Sequence, residues 1–213
     1  MINKIKTYFK SDKFKADLKE TIETVVFVIV AVSLIRFFIA EVRWIPSGSM
    51  RPTLLEGDRI IVERYSRFYK SPERGDIMVF YPPFTELKNT PVALFKRLTG
   101  FFCNDIAYIK RVIGLPNEKF EIKRDKTGAY TVFIDDTPLD EPYIKSKFAF
   151  SPCEDPRVNC GPMIIPEHHY MMLGDNRDNS KDGRFWGTLH ENNFIGRATF
   201  RFWPLTRIKL INK

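Results

Sequence analysis

The chain has 213 residues, enough for one hydrophobic core of ordinary size or two small ones. Its 44% hydrophobic and 28% charged residues make a globular composition, which excludes a largely disordered or collagen-like chain. A formal net charge of +8 suggests nucleic acid or an anionic membrane surface as a partner. Because the basic residues form no block, the sequence argues against nucleic acid. The three cysteines, none in a C-x-x-C pair, are too few for a disulfide-dense scaffold.

The first distinctive segment is the apolar run Thr24–Ala40, whose one charge is Arg36. As a helix it would be roughly 25 Å long, and it can cross a bilayer core of about 30 Å if the flanking Glu23 and Glu41 reach the interfaces. A cleavable signal peptide is disfavoured, because Ile39-Ala40-Glu41 is a poor small-x-small exit. A buried core helix and an amphipathic surface helix fit poorly, since the run has no polar stripe.

The residues ahead of this run are basic, with Lys4, Lys6, Lys10, Lys13, Lys15 and Lys19. The positive-inside rule then places the N-terminus in the cytoplasm and the body outside it. No second apolar run of similar length follows. We therefore expect a single-pass membrane protein with a basic cytoplasmic N-terminus (1–20), a transmembrane anchor helix (21–41) and an extracytoplasmic β-rich domain (42–213).

The body behind Trp44 consists of short β-like runs broken by Pro, Gly and Asp. The 14 prolines of the chain argue against long helices in it. A plausible hairpin loop, Asp125–Gly128, separates two alternating runs. The predicted fold class is mainly β, an antiparallel sheet body. Its candidate strands are Arg59–Tyr65, Asp76–Tyr81, Ile106–Ile113, Lys119–Lys123, Tyr130–Ile134, Tyr170–Leu173 and Arg197–Trp203.

A possible nucleophile, Ser49, lies in the stretch Pro46–Leu54 just beyond the apolar run. Gly48 allows tight backbone geometry beside it, but a serine among Pro and Gly is also typical of an ordinary turn. A nucleophilic serine needs a base. The elbow G-x-S-x-G is absent, and no serine has a lysine three residues further on.

Histidine is a poor candidate for that base. The chain has only His168, His169 and His190, and two adjacent residues of a strand point to opposite faces. The histidines are better explained as exposed loop or strand residues. Zinc ligation is disfavoured too, because Cys153 and Cys160 followed by His168 and His169 match no common ligand spacing.

Lys110 is a more informative candidate. In the strand Ile106–Ile113, Lys110 shares a face with apolar residues, and Arg111 does the same on the opposite face. One interpretation is an edge strand whose long side chains reach back to water. The other is a lysine desolvated for function, because burial lowers a lysine pKa by roughly 3–5 units and leaves a free amine that can accept a hydroxyl proton.

A third polar cluster is the run Gly174–Arg184, GDNRDNSKDGR. Asp178, Ser180 and Asp182 match the first half of a calcium-binding EF-hand loop, but the twelfth position is Leu189 instead of Glu, and no helical pattern flanks the loop. A polar turn that orders other loops is the better generic interpretation.

Together these segments resemble the type I (leader) signal peptidases, the membrane-bound Ser/Lys endoproteases. The resemblance covers roughly residues 22–204. It rests on four motifs in order behind an anchor: SGSMRPTL at 47–54, RGDIMVFYPP at 74–83, YIKRVIGLP at 108–116 and GDNRDNSKDGR at 174–184. It implies a serine endopeptidase that removes signal peptides from secreted preproteins after small-x-small, Ala-x-Ala-like sequences, in the cytoplasmic membrane and without cofactor or metal.

The resemblance also implies residue roles. Ser49 is the expected nucleophile and Lys110 the general base, while the Ser47 hydroxyl and the Ser49 backbone N–H stabilise the oxyanion. Five further residues are expected to support Lys110: Ser180 orients its amine, Asp182 and Arg184 hold the loop, and Tyr108 and Met172 desolvate it. A small substrate pocket is expected to be lined by Ile45, Met50 and Ile109.

The chain departs from the family pattern at one turn, where Asn117 stands in place of the usual Gly after LP. Some relatives have a disulfide near Cys153 and Cys160, so these two cysteines are expected to pair and Cys103 to stay free. Leu94, Leu98, Phe101 and Phe102 form either a membrane-facing patch or ordinary core.

Two other functions remain open on the sequence. A self-cleaving repressor of the LexA kind shares the Ser/Lys chemistry but needs a DNA-binding domain where this chain has an anchor. A non-catalytic membrane-anchored binding module would leave the motifs unexplained. The expected partners of the enzyme are preprotein signal peptides and the lipid bilayer.

Overall fold

The structure, a computed structural model, describes residues 12–85, 90–99, 106–144, 148 and 152–211. These residues fall into two compact units. The first contains residues 12–39 and 90–99, and the second contains the described residues from 40 to 85 and from 106 onward.

The first unit contains two helices, α1 (Asp12–Phe38) and α2 (Pro91–Thr99). Helix α1 has 27 residues, none of them buried, and a mean hydropathy of 2.1 over its most apolar window. In the described part of the chain it is the one helix long and apolar enough to cross a membrane. It is thus compatible with a single-pass anchor, and it ends at Phe38.

Helix α2 was not expected from the sequence. Its start is locally encoded, because Pro91 occupies the first helical position and the Thr90 hydroxyl accepts the Ala93 N–H at 3.2 Å. Of the apolar patch expected nearby, Phe101 and Phe102 lie outside the described residues, and the side chains of Leu94 and Leu98 are not described.

The second unit is an antiparallel β body, which confirms the predicted fold class. The larger sheet has the strand order β1-β2-β11-β3-β4-β9-β10, with β12 beside β11, and the smaller sheet has the order β7-β6-β5-β8. The strands are β1 Ala40–Trp44, β2 Arg59–Glu63, β3 Ile77–Phe80, β4 Tyr108–Gly114, β5 Lys119–Arg124, β6 Tyr130–Ile134, β7 Thr137–Pro138, β8 Met163–Ile164, β9 His169–Leu173, β10 Leu189–His190, β11 Phe194–Trp203 and β12 Lys209–Leu210.

Each of the seven predicted strands is present, Tyr130–Ile134 with the predicted ends and the other six with at least one end shifted, while β1 and the two-residue strands were missed. Strand β1 begins at the last residue of the apolar run, so Ala40 and Glu41, which the sequence places in the anchor, are the first residues of β1. The predicted hairpin is confirmed between β5 and β6. Its turn is closed by Asp125, whose carboxylate accepts the Thr127 N–H at 2.8 Å, and by Gly128 at φ +84°.

The core of the β body consists of three apolar clusters. The first contains Ile45, Met50 and Ile109, and the third contains Val112 and Met172. Strand β4 contributes residues to all three clusters, because alternate side chains of an interior strand enter the apolar layers on both faces of the sheet.

Candidate active site

The structure brings the predicted nucleophile and the predicted base into direct contact. The Lys110 amine and the Ser49 hydroxyl are hydrogen-bonded with an Nζ–Oγ distance of 2.6 Å, and Nζ also donates to the Ile109 carbonyl at 3.0 Å. Lys110 is 4% exposed and Ser49 is 7% exposed. The predicted nucleophile and the predicted base thus lie within the hydrogen-bond distance that proton transfer requires, and both are largely shielded from water.

Lys110 lies on β4, which has β3 on one side and β9 on the other. The edge-strand interpretation of Lys110 and Arg111 is therefore wrong: both cations lie on an interior strand and are almost fully buried. Period-two alternation cannot distinguish an interior strand from an edge strand, because neighbouring strands come from distant parts of the chain.

Burial lowers the pKa of Lys110 to about 8 from its ordinary 10.5. Desolvation is the largest cause, since an apolar surrounding disfavours the ammonium form. Asp182 and Asp175 oppose this shift, and Arg184 adds to it. The Tyr108 ring centroid lies 5.6 Å from Nζ, and Met172 is fully buried in the cluster that Tyr108 packs against. The Tyr108 ring is thus close enough to help exclude water from the lysine amine, while Met172 belongs to the apolar cluster on which that ring packs.

Ser49 is held by a single 3₁₀ turn, Gly48–Met50, between β1 and β2. Ser47, the residue before this turn, is extended, and its hydroxyl oxygen lies 3.5 Å from the Ser49 hydroxyl oxygen. The Ser47 hydroxyl is therefore close enough to reach an oxyanion formed at Ser49.

The loop 174–184 is hydrogen-bonded through Asn176 to the turn Gly48–Met50, which contains the predicted nucleophile and is called the nucleophile turn below. The Asn176 backbone N–H donates to the Ser49 carbonyl at 3.0 Å, and its side-chain Nδ2 donates to the Gly48 carbonyl at 3.0 Å. Asn176 lies within one of the four motifs, but the sequence predicts no role for it. An asparagine in a polar turn carries no sign of which distant backbone it binds.

Asp182 and Arg184 form the buried centre of this loop. Arg184 donates from Nε and Nη2 to the two carboxylate oxygens of Asp182 at 2.8 and 2.9 Å, and Asp182 is 0% exposed. Asp182 also accepts the Gly174 N–H at 3.0 Å, and Arg184 donates to the Arg177 carbonyl at 2.7 Å. These bonds tie the two ends of the loop together, which is the arrangement that its expected role requires.

Ser180 is buried, and its hydroxyl oxygen has no hydrogen-bond partner among the residues that the structure describes. The expected bond to the Lys110 amine is therefore not formed in this structure. The hydroxyl packs against Gly174, where a Cβ would come within 2.2 Å of Ser180 Oγ and 2.6 Å of the Ser49 carbonyl oxygen. Only glycine fits between these two groups.

The three expected pocket residues share one core cluster. Ile45, Met50 and Ile109 are 2%, 0% and 9% exposed and pack together beside the nucleophile turn. The structure thus brings together apolar side chains from β4, from the turn itself and from the segment after β1.

A buried ion pair next to the site was not anticipated from the sequence. Arg111 donates to both carboxylate oxygens of Asp175 at 2.8 and 2.6 Å, and Asp175 accepts the Thr53 hydroxyl at 2.5 Å. This pair joins β4 to the loop 174–184 and to the chain after Ser49. Its partners are far apart in sequence, so no local pattern indicates it.

The remaining sequence expectations concern metals, one turn and the cysteines. Within the described residues no group of three His, Cys, Asp or Glu side chains could hold a metal ion. Asn117 adopts φ +69°, a conformation in which asparagine can replace glycine. Cys153 and Cys160 form a disulfide, and Cys103 lies outside the described residues.

The model of the family described as signal peptidase, peptidase S26, matches residues 18–203. The chain belongs to this family. The chain is 44% identical over 197 residues to signal peptidase I of Leptolyngbya laminosa, covering 91% of this chain and 85% of the relative. It is also 30% identical over 205 residues to signal peptidase IB of Staphylococcus aureus (92% and 94%).

A chloroplast relative, thylakoidal processing peptidase 1 of Arabidopsis thaliana, is 33% identical over 183 residues, covering 85% of this chain and 48% of the relative. A crystal structure of a signal peptidase I from Enterococcus faecalis is 26% identical with a TM-score of 0.41, covering 60% of this chain and 97% of that chain. Membership of the S26 family makes the protein a serine endopeptidase that removes signal peptides from preproteins. The non-catalytic binding module is thereby ruled out.

Proposed function

We propose that the enzyme cleaves preproteins with Ser49 as nucleophile and Lys110 as general base, through an acyl-enzyme ester. The observation that supports this most directly is the 2.6 Å contact between the Lys110 amine and the Ser49 hydroxyl in a buried site. A general base must be within hydrogen-bond reach of the proton that it removes, and it must be deprotonated at working pH.

The lowered pKa makes a substantial share of the lysine neutral at working pH. With a pKa of about 8, about one lysine in ten is neutral at pH 7, against about one in 3,000 at the ordinary value. An arginine in its place would stay charged at any usable pH. Desolvation of Lys110 thus raises the concentration of the active base by about 300-fold.

The steps follow from these positions. The neutral Lys110 amine takes the hydroxyl proton as Ser49 Oγ attacks the scissile carbonyl carbon. The oxyanion accepts hydrogen bonds from the Ser49 backbone N–H and the Ser47 hydroxyl. The Lys110 ammonium then protonates the leaving amine, which frees the mature protein and leaves an ester on Ser49. In deacylation Lys110 deprotonates a water molecule, the ester is hydrolysed, and Ser49 regains its proton.

We propose that cleavage follows small-x-small, Ala-x-Ala-like sequences. Ile45, Met50 and Ile109 are buried in one cluster next to the reacting pair. Because these branched and long apolar side chains already fill the space beside the pair, a substrate side chain bound there would have to be small.

For the membrane arrangement, we propose the parts expected from the sequence, with the boundary moved to the start of β1: cytoplasmic residues 1–20, an anchor at 21–38 and an extracytoplasmic catalytic domain at 40–213. Helix α1 supports an anchor, and the lysines ahead of it support this orientation. Trp44 and Trp203 support contact of the β body with the bilayer interface: they are 62% and 46% exposed, and both pair across the sheet with Arg59. Tethering raises the effective concentration of signal helices in the same bilayer.

The decisive experiment is mass spectrometry of the products of a preprotein incubated with the full-length enzyme and its variants. The wild type should release the signal peptide at one small-x-small site. Ser49→Ala, Lys110→Met and Lys110→Arg should show no turnover. Near wild-type cleavage by any of the three would refute the dyad. Protease digestion of sealed vesicles tests the orientation. The β body should be digested in right-side-out vesicles, where it faces the medium, and protected in inside-out vesicles.

A further inference from the structure

The segment that follows β7 lies against the loop 174–184 from outside the site. Glu141 accepts hydrogen bonds from both terminal nitrogens of Arg177, Nη1 at 2.9 Å and Nη2 in a shorter contact. The side chains of Arg177 and Glu141 are only 1% and 6% exposed. A buried bidentate pair of this kind fixes both orientation and distance, because each charge has no solvent alternative.

Arg177 also forms hydrogen bonds with the rest of the loop 174–184. Its Nε donates to the Gly174 carbonyl at 3.0 Å, and its own carbonyl accepts Arg184 Nη2 at 2.7 Å. Gly174 is the residue that packs against Ser180 and the Ser49 carbonyl. Through the side chain of Arg177, Glu141 therefore holds in place the part of the loop around Gly174, which packs against the nucleophile turn.

Tyr143 makes a second contact from the same segment. Its ring centroid lies 3.8 Å from the guanidinium carbon of Arg111, and its hydroxyl donates to Glu141 at 2.8 Å. Burial, with the neighbouring Glu141 charge, raises the pKa of Tyr143, so the hydroxyl stays a donor. Since Arg111 binds Asp175, Tyr143 stabilises the second ion pair that fixes the loop. Glu141 and Tyr143 together form a clamp on two arginines, here called the 141/143 clamp.

We propose that the 141/143 clamp is a positioning element for the known reaction: it keeps the loop 174–184 seated against the Lys110–Ser49 pair and so keeps the amine shielded from water. This inference rests on the proposed function, in which Lys110 is the base. Neither clamp residue contacts the reacting pair in any described hydrogen bond or ion pair. Both act through Arg177 and Arg111.

The consequence for Lys110 follows from what surrounds it. Burial is the main influence on the amine, and the charged groups that act on it are Asp182, Asp175 and Arg184, all in or next to the clamped loop. If the loop moves outward, water reaches the amine, the ammonium form is stabilised and the base is lost at neutral pH. Loss of the clamp should therefore alter the pH dependence of the rate as well as its size.

The test is the pH–rate profile of the full-length enzyme in detergent, with a synthetic signal-peptide substrate. Glu141→Gln keeps the size of the side chain but removes its charge. The matched control is Glu121→Gln, which removes a carboxylate paired with Lys123 on β5, away from the loop. In Glu141→Gln the acid limb of kcat/KM, which reports the free enzyme, should move up by about one pH unit, so that kcat/KM at pH 7 falls about tenfold and recovers to within about threefold at high pH. KM should change little, and the control should match the wild type.

Tyr143→Phe removes only the hydroxyl and should move the limb in the same direction by a smaller amount. Glu141→Asp, which restores the charge, should bring the limb part of the way back. A rate loss in Glu141→Gln that is equal at every pH, or an unmoved profile, would overturn the inference. If Glu141→Gln does not fold, judged by circular dichroism, the profile of Tyr143→Phe decides the question by the same criterion. Activity in Lys110→Met would instead refute the proposed function, so the two failures are distinguishable.

Discussion

Replacing Lys110 by Met should abolish activity and make the protein more stable at neutral pH. The folded state holds Lys110 at a pKa of about 8 instead of 10.5, and at about 1.4 kcal/mol per pKa unit this charged side chain costs about 3 kcal/mol of folding free energy below pH 8. Methionine has a similar volume and no charge, but it gives up two hydrogen bonds, to the Ser49 hydroxyl and the Ile109 carbonyl, each worth about 1 kcal/mol. The net gain is about 1 kcal/mol at pH 7, or a rise in melting temperature of about 2–4 °C.

The difference in unfolding free energy between Lys110→Met and the wild type should change with pH. Below pH 8 the lysine is charged in both states, so the wild type bears the full penalty. Between pH 8 and 10.5 the folded lysine is neutral while the unfolded one is still charged, so the penalty is released as pH rises. The stability advantage of Lys110→Met should therefore be largest below pH 8 and become a disadvantage before pH 10.5, because the lost hydrogen bonds remain when the penalty is released.

The assay is denaturant unfolding of both proteins in the same detergent, followed by tryptophan fluorescence from pH 6 to about 10. The control is Lys126→Met, which changes an exposed lysine in the β5–β6 turn and should give no gain. A variant less stable than the wild type at pH 7, or an advantage independent of pH, would refute the claim that desolvation sets the state of Lys110.

Three further changes test the rest of the site by steady-state kinetics. Ser47→Ala should lower kcat by about 10²–10³-fold with folding intact, and an unchanged kcat would remove the Ser47 hydroxyl from the oxyanion site. In Gly174→Ala the new Cβ meets the Ser180 hydroxyl at 2.2 Å and the Ser49 carbonyl at 2.6 Å; kcat should fall by more than about tenfold, and wild-type kinetics would show that the loop gives way freely. Asn176→Ala removes the side-chain hydrogen bond to the Gly48 carbonyl and keeps the backbone bond to the Ser49 carbonyl; it should lower kcat more than it raises KM, and the opposite split would indicate a role in substrate binding.

The parts of the fold that the sequence predicted are those written in local patterns. The strands from Arg59 onward show alternation or dense β-branched and aromatic residues, and the β5–β6 turn carries Asp125 and Gly128 at the positions that the turn needs. Helix α2 was missed because its start depends on Thr90 and Pro91, a short signal within a region dense in other turn formers. The two-residue strands have no pattern of their own and exist only where a longer strand offers them an edge.

The site residues likewise divide into those that a local sequence pattern indicates and those that only a distant partner defines. Ser49 and Lys110 were singled out by motif and by a strand face that sets a cation among apolar residues, and the structure places them in contact. Asn176, Arg111 and Glu141 could not be assigned from sequence, because each is defined by a partner that lies elsewhere in the chain. An arginine or a glutamate in a polar stretch is equally compatible with solvent exposure.

The sequence by itself determined the chemistry available to this protein: one long apolar run, a β-rich body, and a serine and a lysine in recognisable surroundings. Only the tertiary structure decided whether that lysine is an exposed cation or a desolvated base, since its pKa depends on which strands flank β4 and which loop covers the amine. Burial is a property of the assembled sheet. A residue's own neighbours in the chain supply too few atoms to exclude water from it.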